Sequence, residues 1–483
     1  MMTDFGPVFH LLGLILLALG ATMLAPVGLD WADGAENAAP FFQAMLETMV
    51  FGGFLAMASR AEAPRPLTLR QAYCLTAGIW FVVPAFAALP FIHGAPAASF
   101  TDAYFEAVSG ITTTGYSVFA HIDQLPRGVL LWRGMLNWMG GLGIAFVAMI
   151  FLPVMRIGGM RYFQTEGFDT LGKVLPRARD IAISLLEVYS TLTALCFLAF
   201  TACGMPMFDA LVHAISAIAT GGFATHDASF AVWNPATQYA AIVFMLLGAM
   251  PFIRFFQMVQ GQPRVLWQDN QVRAFLRWYG YACVLVMLYR FWRKSLPVER
   301  IARETLFNLA SVMTGTGFGS APIEQWGSFV LVVAFVIGTI GGCTNSSSAA
   351  LSVFRVQVVL SVMRAAIRQL HSPHRVVQAM YDGKPLDDTT LGPLMQYVTA
   401  YILTMGVFAV LMSMDTGNDM TSSLFAVWGA LGNIGFAVGP MTRSGTMAEF
   451  SDASTWLMTL AMLLGRLGLL TIFVLFMPRF WRD

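Results

Sequence analysis

Charged side chains are scarce in this chain of 483 residues. Asp, Glu, Lys and Arg make up 11% of it, whereas about 25% is usual in soluble domains. Hydrophobic residues make up 57%, which predicts an integral membrane protein. The 28 basic residues are balanced by 27 acidic ones, which excludes the strongly basic face that nucleic-acid binding requires.

The sequence also lacks the patterns of a metal site, a cofactor site or a catalytic centre. Its five cysteines stand singly, without metal-binding spacing. No Ser/His/Asp or phosphate-loop constellation stands out, so an enzyme is not predicted. The first apolar run, Phe9 to Leu29, has no basic start and is long enough to span a bilayer, so it is predicted to be a retained helix.

Ten apolar stretches are long enough to cross a bilayer. They lie near residues 8–29, 40–59, 71–92, 129–154, 181–204, 236–257, 274–292, 326–360, 391–413 and 454–477. Four segments between them are too short to span and are predicted to enter the membrane and return: 102–112, 209–219, 304–313 and 421–431.

Basic residues predict the orientation of these spans. Most Lys and Arg residues fall on one side, as at Arg60, Arg65 and Arg70, and this side is predicted to be cytoplasmic. One basic run falls outside and would oppose cation entry unless Glu299, Glu304 or lipid phosphate neutralises it. It comprises Arg290, Arg293, Lys294, Arg300 and Arg303.

Each short segment runs into a glycine followed by an aromatic residue. A dehydrated monovalent cation needs a ring of oxygens, and glycine lets a backbone turn its carbonyls toward one. Four copies, at a period of roughly one hundred residues, predict four walls of one pore. The predicted ion-binding residues are Thr112, Thr113, Thr114 and Gly115; Thr220, Gly221 and Gly222; Thr314, Gly315, Thr316 and Gly317; and Asn433, Ile434 and Gly435.

Two further positions recur in the four copies. Thirteen residues before each filter glycine stand predicted helix starts, whose helices would aim their negative ends at the filter and favour a cation: Asp102, Asp209, Glu304 and Ser422. Nine residues before it stand Glu106, His213, Asn308 and Ala426. Glu106 and His213 could be acid-base groups, but the variation among copies favours local packing and hydrogen bonding.

The eighth apolar run is interrupted by a polar stretch: Gly341, Gly342, Cys343, Thr344, Asn345, Ser346, Ser347 and Ser348. Irregular backbone at membrane depth survives only where protein buries it or water reaches it. This stretch is predicted to be a gate below the filter, and the alternative is a kinked helix. Arg466, deep in the last span, is predicted to form an electrostatic barrier there, and the alternative is a structural pair.

Four segments carry a resemblance to a known family. Residues 105–115 (FEAVSGITTTG), 137–143 (NWMGGLG), 219–227 (ATGGFATHD) and 341–343 (GGC) closely resemble the TrkH subunits of bacterial Trk potassium-uptake systems, within the Trk/Ktr/HKT superfamily. The resemblance implies a homodimer in the inner membrane, a cytosolic TrkA-type nucleotide-binding partner, a gate in the broken helix of the third repeat, and a pore arginine at Arg466.

The resemblance also bears on selectivity. In plant relatives a serine in place of the first filter glycine goes with sodium selectivity, so Gly115 favours potassium. This chain departs from the family after Cys343, where a usually glycine-rich loop carries Thr344, Asn345 and three serines. Gly315 replaces the threonine of the first two copies, and only the third copy has a second glycine, Gly319.

We therefore predict an all-α polytopic membrane protein with four helix–pore-loop–helix repeats around a central pore. Its predicted function is potassium uptake, with K⁺ as the transported ion and no cofactor. The rival hypotheses are a symporter coupling Na⁺ or H⁺ to K⁺ import and a membrane enzyme using Glu106 or His213. The predicted units are an N-terminal helix pair (1–68) and repeats at 69–175, 176–272, 273–385 and 386–483.

Overall fold

The computed structural model describes residues 4–60, 67–158, 178–293, 296–372, 374, 378–386, 388–415, 417–439 and 446–482. Within these residues the chain is almost entirely helical, and its strands form one antiparallel hairpin, β1 (Met380–Tyr381) and β2 (Lys384–Pro385). The predicted all-α membrane class is confirmed. The predicted unit boundary at 175/176 lies outside the described residues.

The described helices form five successive groups along the chain. The first three are α1 (Gly6–Thr22), α2 (Leu24–Ala32) and α3 (Ala38–Ala58). Next come α4 (Leu69–Ala87), α5 (Leu89–His93), α6 (Phe100–Ile111) and α7 (Arg127–Gly158), and then α8 (Ala178–Ala202), α9 (Met207–Ile218), α10 (Pro235–Gly248), α11 (Phe252–Val259) and α12 (Val265–Gln268). The last two groups are α13 (Asn270–Arg293), α14 (Val298–Thr314), α15 (Ser328–Ile340) and α16 (Val353–His371), and α17 (Asp388–Ser413), α18 (Met420–Leu431), α19 (Asp452–Leu467), α20 (Leu469–Leu475) and α21 (Pro478–Arg482).

Four short helices, α6, α9, α14 and α18, are linked in a closed cycle by the helices that follow them. α7 packs on α9, α10 packs on α14, and α19 packs back on α6. The link from α15 to α18 is made by Trp428, whose ring stacks on Phe335 and whose indole N–H donates to Thr339 Oγ1 over 2.9 Å. The four groups therefore surround one centre.

The short helices do not begin where the sequence predicted. Asp102, Asp209 and Ser422 are the third residues of their helices. Two of these helices are capped by side chains: Ser99 accepts the backbone N–H of Asp102, and Asp419 accepts that of Ser422. The prediction for Glu304 is wrong by about two turns, because α14 begins at Val298. Ion pairs four residues apart, Glu299 with Arg303 and Arg300 with Glu304, support these extra turns.

The ten predicted apolar stretches do not all form single straight helices. Among the described residues, five helices are long and apolar enough to cross a membrane, or six if the bent pair α10 and α11 counts as one. This pair bends by 94° before Pro251, which has no N–H to donate. The eighth run splits into α15 and α16, and the tenth breaks at Gly468, whose φ is +78°. The seventh, within α13, contains the charged residues Arg277 and Arg290.

Candidate functional site

The four filter segments share one unusual backbone geometry. In each segment, two residues with one residue between them have positive φ. This is the left-handed region, which favours glycine or asparagine. These residues are Thr113 (+55°) and Gly115 (+84°), Thr220 (+50°) and Gly222 (+80°), Gly315 (+73°) and Gly317 (+82°), and Asn433 (+49°) and Gly435 (+66°). Gly315 therefore keeps the conformation of its counterparts although it lacks their side chain.

The backbone hydrogen bonds at the ends of the four short helices match as well. The N–H of the residue before each filter glycine donates to the carbonyl five positions back. These bonds are Thr114 to Ser109 (2.9 Å), Gly221 to Ser216 (2.9 Å), Thr316 to Ser311 (2.8 Å) and Ile434 to Gly429 (2.8 Å). The repeats are thus equivalent in backbone structure even where their side chains differ.

The filter glycines meet in cyclic order. A side-chain carbon added to Gly115 would overlap the carbonyl oxygen of Gly221, and one added to Gly222 would overlap that of Thr316. A carbon on Gly317 would lie 3.0 Å from the carbonyl oxygen of Ile434. One on Gly435 would overlap the carbonyl oxygen of Thr114, which returns to the first segment. The four segments therefore close a ring in which each glycine lies against the next carbonyl.

The ring is accessible along its glycines. Gly115, Gly222, Gly317 and Gly435 are each partly exposed, while the three residues that precede each of them are buried. The segments thus present glycine backbone to an open path and keep the preceding side chains in the protein. Such an arrangement can surround a small cation with carbonyl oxygens, since no side chain at the glycines blocks their approach.

Threonine hydroxyls support two of the four segments from behind. Thr112 Oγ1 lies 2.7 Å from Thr114 Oγ1, and Thr314 Oγ1 lies 2.7 Å from Thr316 Oγ1. The amide of Asn433 connects the fourth segment to the first by donating to Thr114 Oγ1 over 2.9 Å, and it also donates to the Met462 carbonyl over 3.0 Å.

A buried ion pair fixes the chain just beyond the first two filters. Arg133 Nε donates to Glu106 Oε1 over 2.7 Å, with both side chains almost fully buried. The Glu106 carboxylate also accepts from Ser117 Oγ and Val118 N. Arg133 donates to the Ala224 carbonyl over 3.3 Å, and its guanidinium lies 4.1 Å from the centre of the Phe223 ring. This agrees with the hydrogen-bonding interpretation of Glu106.

The equivalent positions in the other repeats are structural as well. Asn308 Nδ2 donates to Ser320 Oγ over 2.9 Å, and its Oδ1 accepts the Ser320 N–H, so it contacts the same post-filter position that Val118 occupies. His213 Nδ1 bonds to the Asp209 carbonyl (2.8 Å), and its ring packs edge-on against Phe230. Glu106 and His213 bond to these other groups and not to each other, so they do not form an acid-base couple.

We expect the loss of the Glu106 carboxylate to destabilise the protein strongly. Glu106→Ala leaves the buried Arg133 charge without a partner, which typically costs about 3–5 kcal/mol. Thermal unfolding of the purified protein in detergent measures this loss. In the control Glu47→Ala, an exposed pair with His93 is broken, and the expected cost is below about 1 kcal/mol. Equal midpoints for the two variants would contradict the assigned role.

The polar stretch after α15 folds as a loop against the bend between α10 and α11. Backbone N–H groups of Cys343 and Ser347 donate to the carbonyls of Ala249 (2.9 Å) and Gly248 (3.2 Å). The Phe252 N–H donates back to the Asn345 carbonyl over 3.0 Å. The bend thus supplies the carbonyls and the N–H that this irregular backbone needs inside a membrane.

Side chains fix the loop further. Thr344 donates its N–H (3.0 Å) and its hydroxyl (2.9 Å) to Gln271 Oε1 on α13. Ser346 Oγ donates to the Cys343 carbonyl, and Ser348 Oγ accepts the Gly342 N–H over 3.0 Å. Gly341 ends α15 with φ +74°. Two of the three serines in this loop, Ser346 and Ser348, therefore add hydrogen bonds to it.

Arg466 joins the loop to the rest of the site. Its guanidinium donates to the carbonyls of Ser347 (3.0 Å) and Gly140 (3.1 Å), and the residue is 9% exposed. It stands two residues before the break at Gly468, so it is near the end of α19 rather than in the middle of a long helix as predicted. Ser348 Oγ would lie 3.8 Å from a carbon added to Gly315, so the loop is close to the third filter segment.

Two carboxylates partly neutralise the basic run near the third repeat. Arg290 and Arg300 both pair with Glu304, and Arg303 pairs with Glu299. Arg290 also stacks on Trp326, 3.6 Å from the ring centre. Glu299 and Glu304 are thus partners of this run, as one of the alternatives supposed; Lys294 lies outside the described residues.

Several site residues were missed by the sequence analysis. Arg133, Gln271 and the hydroxyl of Tyr116 hold the filters or the loop from other parts of the chain. Arg133 carried a usable signal, a charged residue inside an apolar span, which is functional or paired by default. Gln271 carried no such signal, and Tyr116 was visible only as the aromatic residue after Gly115, without any indication of what its hydroxyl contacts.

Comparison with known proteins places this architecture in a family. Residues 38–482 match the TrkH family, described as a cation transport protein. The chain is 34% identical to the potassium uptake protein TrkI of Halomonas elongata, over 99% of this chain and 97% of that protein. It is 30% identical to TrkH of Escherichia coli K12, over 99% and 100%. The crystal structure of the potassium transporter TrkH from Vibrio parahaemolyticus superposes with a TM-score of 0.91, at 29% identity over 99% and 100% of the two chains.

Proposed function

Since this chain belongs to the TrkH family of cation transport proteins, we propose that it is the membrane-embedded, potassium-translocating subunit of a bacterial potassium-uptake system. The relatives are potassium uptake proteins matched over their full length. The observation that carries the proposal is the closed ring of four filter segments with matched pairs of left-handed residues. No resident cofactor is required, because the ion is the cargo.

In this proposal, the carbonyl oxygens of Thr114, Gly221, Thr316 and Ile434 replace the hydration shell of K⁺. Each abuts the glycine of a neighbouring segment, so their spacing is set by close backbone contact. The four short helices point their C-terminal ends toward the ring, and the negative end of the helix dipole favours a cation there.

The loop of residues 341–348 is proposed to be the gate, with Arg466 as its partner. The loop is held by Gln271, by the α10–α11 bend and by Arg466. Opening requires these bonds to exchange for others or for water. The positive charge of Arg466 beside the loop also opposes a cation in the same region.

The assembly around this subunit is likewise proposed from the family resemblance. The protein is expected to lie in the bacterial inner membrane as a homodimer and to bind a cytosolic, TrkA-type nucleotide-binding subunit. The β1–β2 hairpin is linked to the start of α13, which holds the loop. Asn270 lies beside Gln271 and donates to Asp382 of the hairpin over 2.6 Å. A partner that moves the hairpin therefore acts on the loop through Asn270 and Gln271.

The proposal is tested by ion flux into proteoliposomes at clamped membrane potential. The wild-type protein is expected to pass K⁺ in preference to Na⁺ without a second ion gradient. In Gly115→Ser, a side chain at φ +84° presses on the Gly221 carbonyl, and the K⁺/Na⁺ flux ratio is expected to fall. Flux that requires a Na⁺ or H⁺ gradient would favour the symporter instead, and an unchanged ratio in Gly115→Ser would contradict the filter.

A further inference from the structure

A serine recurs behind three of the four filters. Six residues before the filter glycine stand Ser109, Ser216 and Ser311, but the fourth repeat has Gly429. In the first repeat, Ser109 Oγ donates over 2.6 Å to the carbonyl of Tyr116, the residue that follows the filter glycine. Gly429 has no hydroxyl to donate to the equivalent carbonyl of Phe436.

A hydroxyl from another repeat occupies that place. Tyr116 Oη donates to the Phe436 carbonyl over 2.9 Å and lies 3.3 Å from the carbonyls of Phe425 and Ala426. A side-chain carbon added to Gly429 would overlap this hydroxyl. The glycine at 429 is therefore the condition for the tyrosine hydroxyl to reach Phe436.

Tyrosine is also unique among the four aromatic residues of the filters. The other three copies have Phe223, Phe318 and Phe436, so only the first repeat can donate a hydrogen bond from this position. Tyr116 is 2% exposed, and a buried hydroxyl needs a partner. The Tyr116 hydroxyl thus gives the Phe436 carbonyl the kind of hydrogen bond that Ser109 gives the Tyr116 carbonyl. Ser216 instead accepts from Asn137, and Ser311 Oγ has no partner among the described residues.

We propose that Tyr116 is a positioning residue for the fourth filter segment and a determinant of ion selectivity. This inference rests on the proposed potassium-conducting function. The hydroxyl holds the carbonyl that follows Gly435 and fastens the last repeat to the first, where the ring of segments closes. A loosened fourth segment lets its carbonyl oxygens approach the smaller Na⁺, which lowers discrimination between the two ions.

The first test is Tyr116→Phe, which removes the hydroxyl and keeps the ring in its packing site. The K⁺/Na⁺ permeability ratio of the purified protein in proteoliposomes is expected to fall about fivefold. This is the factor that corresponds to the loss of one buried hydrogen bond of about 1 kcal/mol. The matched control is Tyr104→Phe in the same repeat, because Tyr104 Oη on α6 donates to the Phe81 carbonyl over 3.0 Å, away from the filter. Its ratio is expected to stay at the wild-type value.

A double-mutant cycle separates this contact from general loosening. Gly429→Ala adds a methyl group that displaces the Tyr116 hydroxyl, so it already removes the contact. The double variant Tyr116→Phe/Gly429→Ala is expected to have the same ratio as Gly429→Ala alone. Additive losses of selectivity, or a Tyr116→Phe ratio equal to that of Tyr104→Phe, overturn the role of Tyr116.

The wild-type ratio separates failure of this inference from failure of the proposed function. If wild-type protein shows no K⁺ preference, the proposed function itself fails. If wild-type protein is selective and Tyr116→Phe is equally selective, only this inference fails.

Discussion

Replacing Gly222 with alanine is expected to abolish potassium flux through the folded protein. The added carbon would overlap the Thr316 carbonyl oxygen, and Gly222 has a φ of +80°, which costs an L-residue about 1–2 kcal/mol before any overlap. This overlap is relieved only if the second and third segments move apart, which breaks the ring. Potassium uptake into proteoliposomes or into potassium-dependent cells measures the loss.

The control for this variant is Gly319→Ala. Gly319 follows the aromatic residue of the third filter, and nothing lies within 4 Å of the carbon that alanine would add. Flux through Gly319→Ala is expected to equal that of wild type, although Gly319 is only two residues from the filter glycine Gly317. Normal flux through Gly222→Ala would mean that the ring is not the ion path.

Replacing Arg466 with alanine is expected to raise potassium flux about tenfold or more. The guanidinium donates two hydrogen bonds, to Ser347 and to Gly140, and hydrogen bonds from a charged donor contribute about 1.5–3 kcal/mol each. Their loss releases the loop, and loss of the positive charge makes the region below the filter more favourable to a cation. Initial rates of ⁸⁶Rb⁺ uptake per folded protein measure the change.

The control here is a second buried arginine that does not contact the loop. Arg290→Ala removes a side chain paired with Glu304 and stacked on Trp326. It is expected to lower stability without raising the flux of the protein that remains folded. If Arg466→Ala lowers stability and leaves the rate unchanged, Arg466 is a structural strut rather than a partner of the gate.

The four-fold pattern was predictable because each repeat needs the same backbone turn. Left-handed φ values select glycine at four equivalent places, and glycine followed by an aromatic residue is visible in a single sequence. The first of the two left-handed positions was not predicted, because Thr113 and Thr220 are of a type that rarely adopts this conformation, although Gly315 and Asn433 suit it. Matched hydrogen bonds at the helix ends hold these residues in place, and no local sequence signal reports such bonds.

The breaks in the long helices were predicted unequally. The stretch at 341–348 is polar and begins with two glycines, so its irregular backbone could be predicted. The bend before Pro251 and the break at Gly468 lie in apolar sequence, where length and hydropathy suggest one straight span. Pro251 has no N–H to donate and Gly468 has a φ of +78°, but length and hydropathy take no account of either.

The buried polar contacts were the least predictable part of the site. Glu106 was recognised as a packing group, but its partner Arg133 is 27 residues away on α7, and chain separation gives no indication of that pairing. Tyr116 and Gly429 are separated by more than 300 residues of sequence. Only the closed order of the repeats brings the first and the fourth together.

The most direct test of the central claim is to locate an ion in the ring. Crystals of the protein grown with Tl⁺ or Rb⁺ in place of K⁺ would be measured for anomalous scattering. The account predicts an anomalous peak on the axis of the ring, surrounded by the carbonyl oxygens of Thr114, Gly221, Thr316 and Ile434. This peak is expected to disappear when the crystals contain Na⁺ in place of Tl⁺ or Rb⁺. An anomalous peak elsewhere in the membrane region, with none at this ring in protein that conducts K⁺, would contradict it.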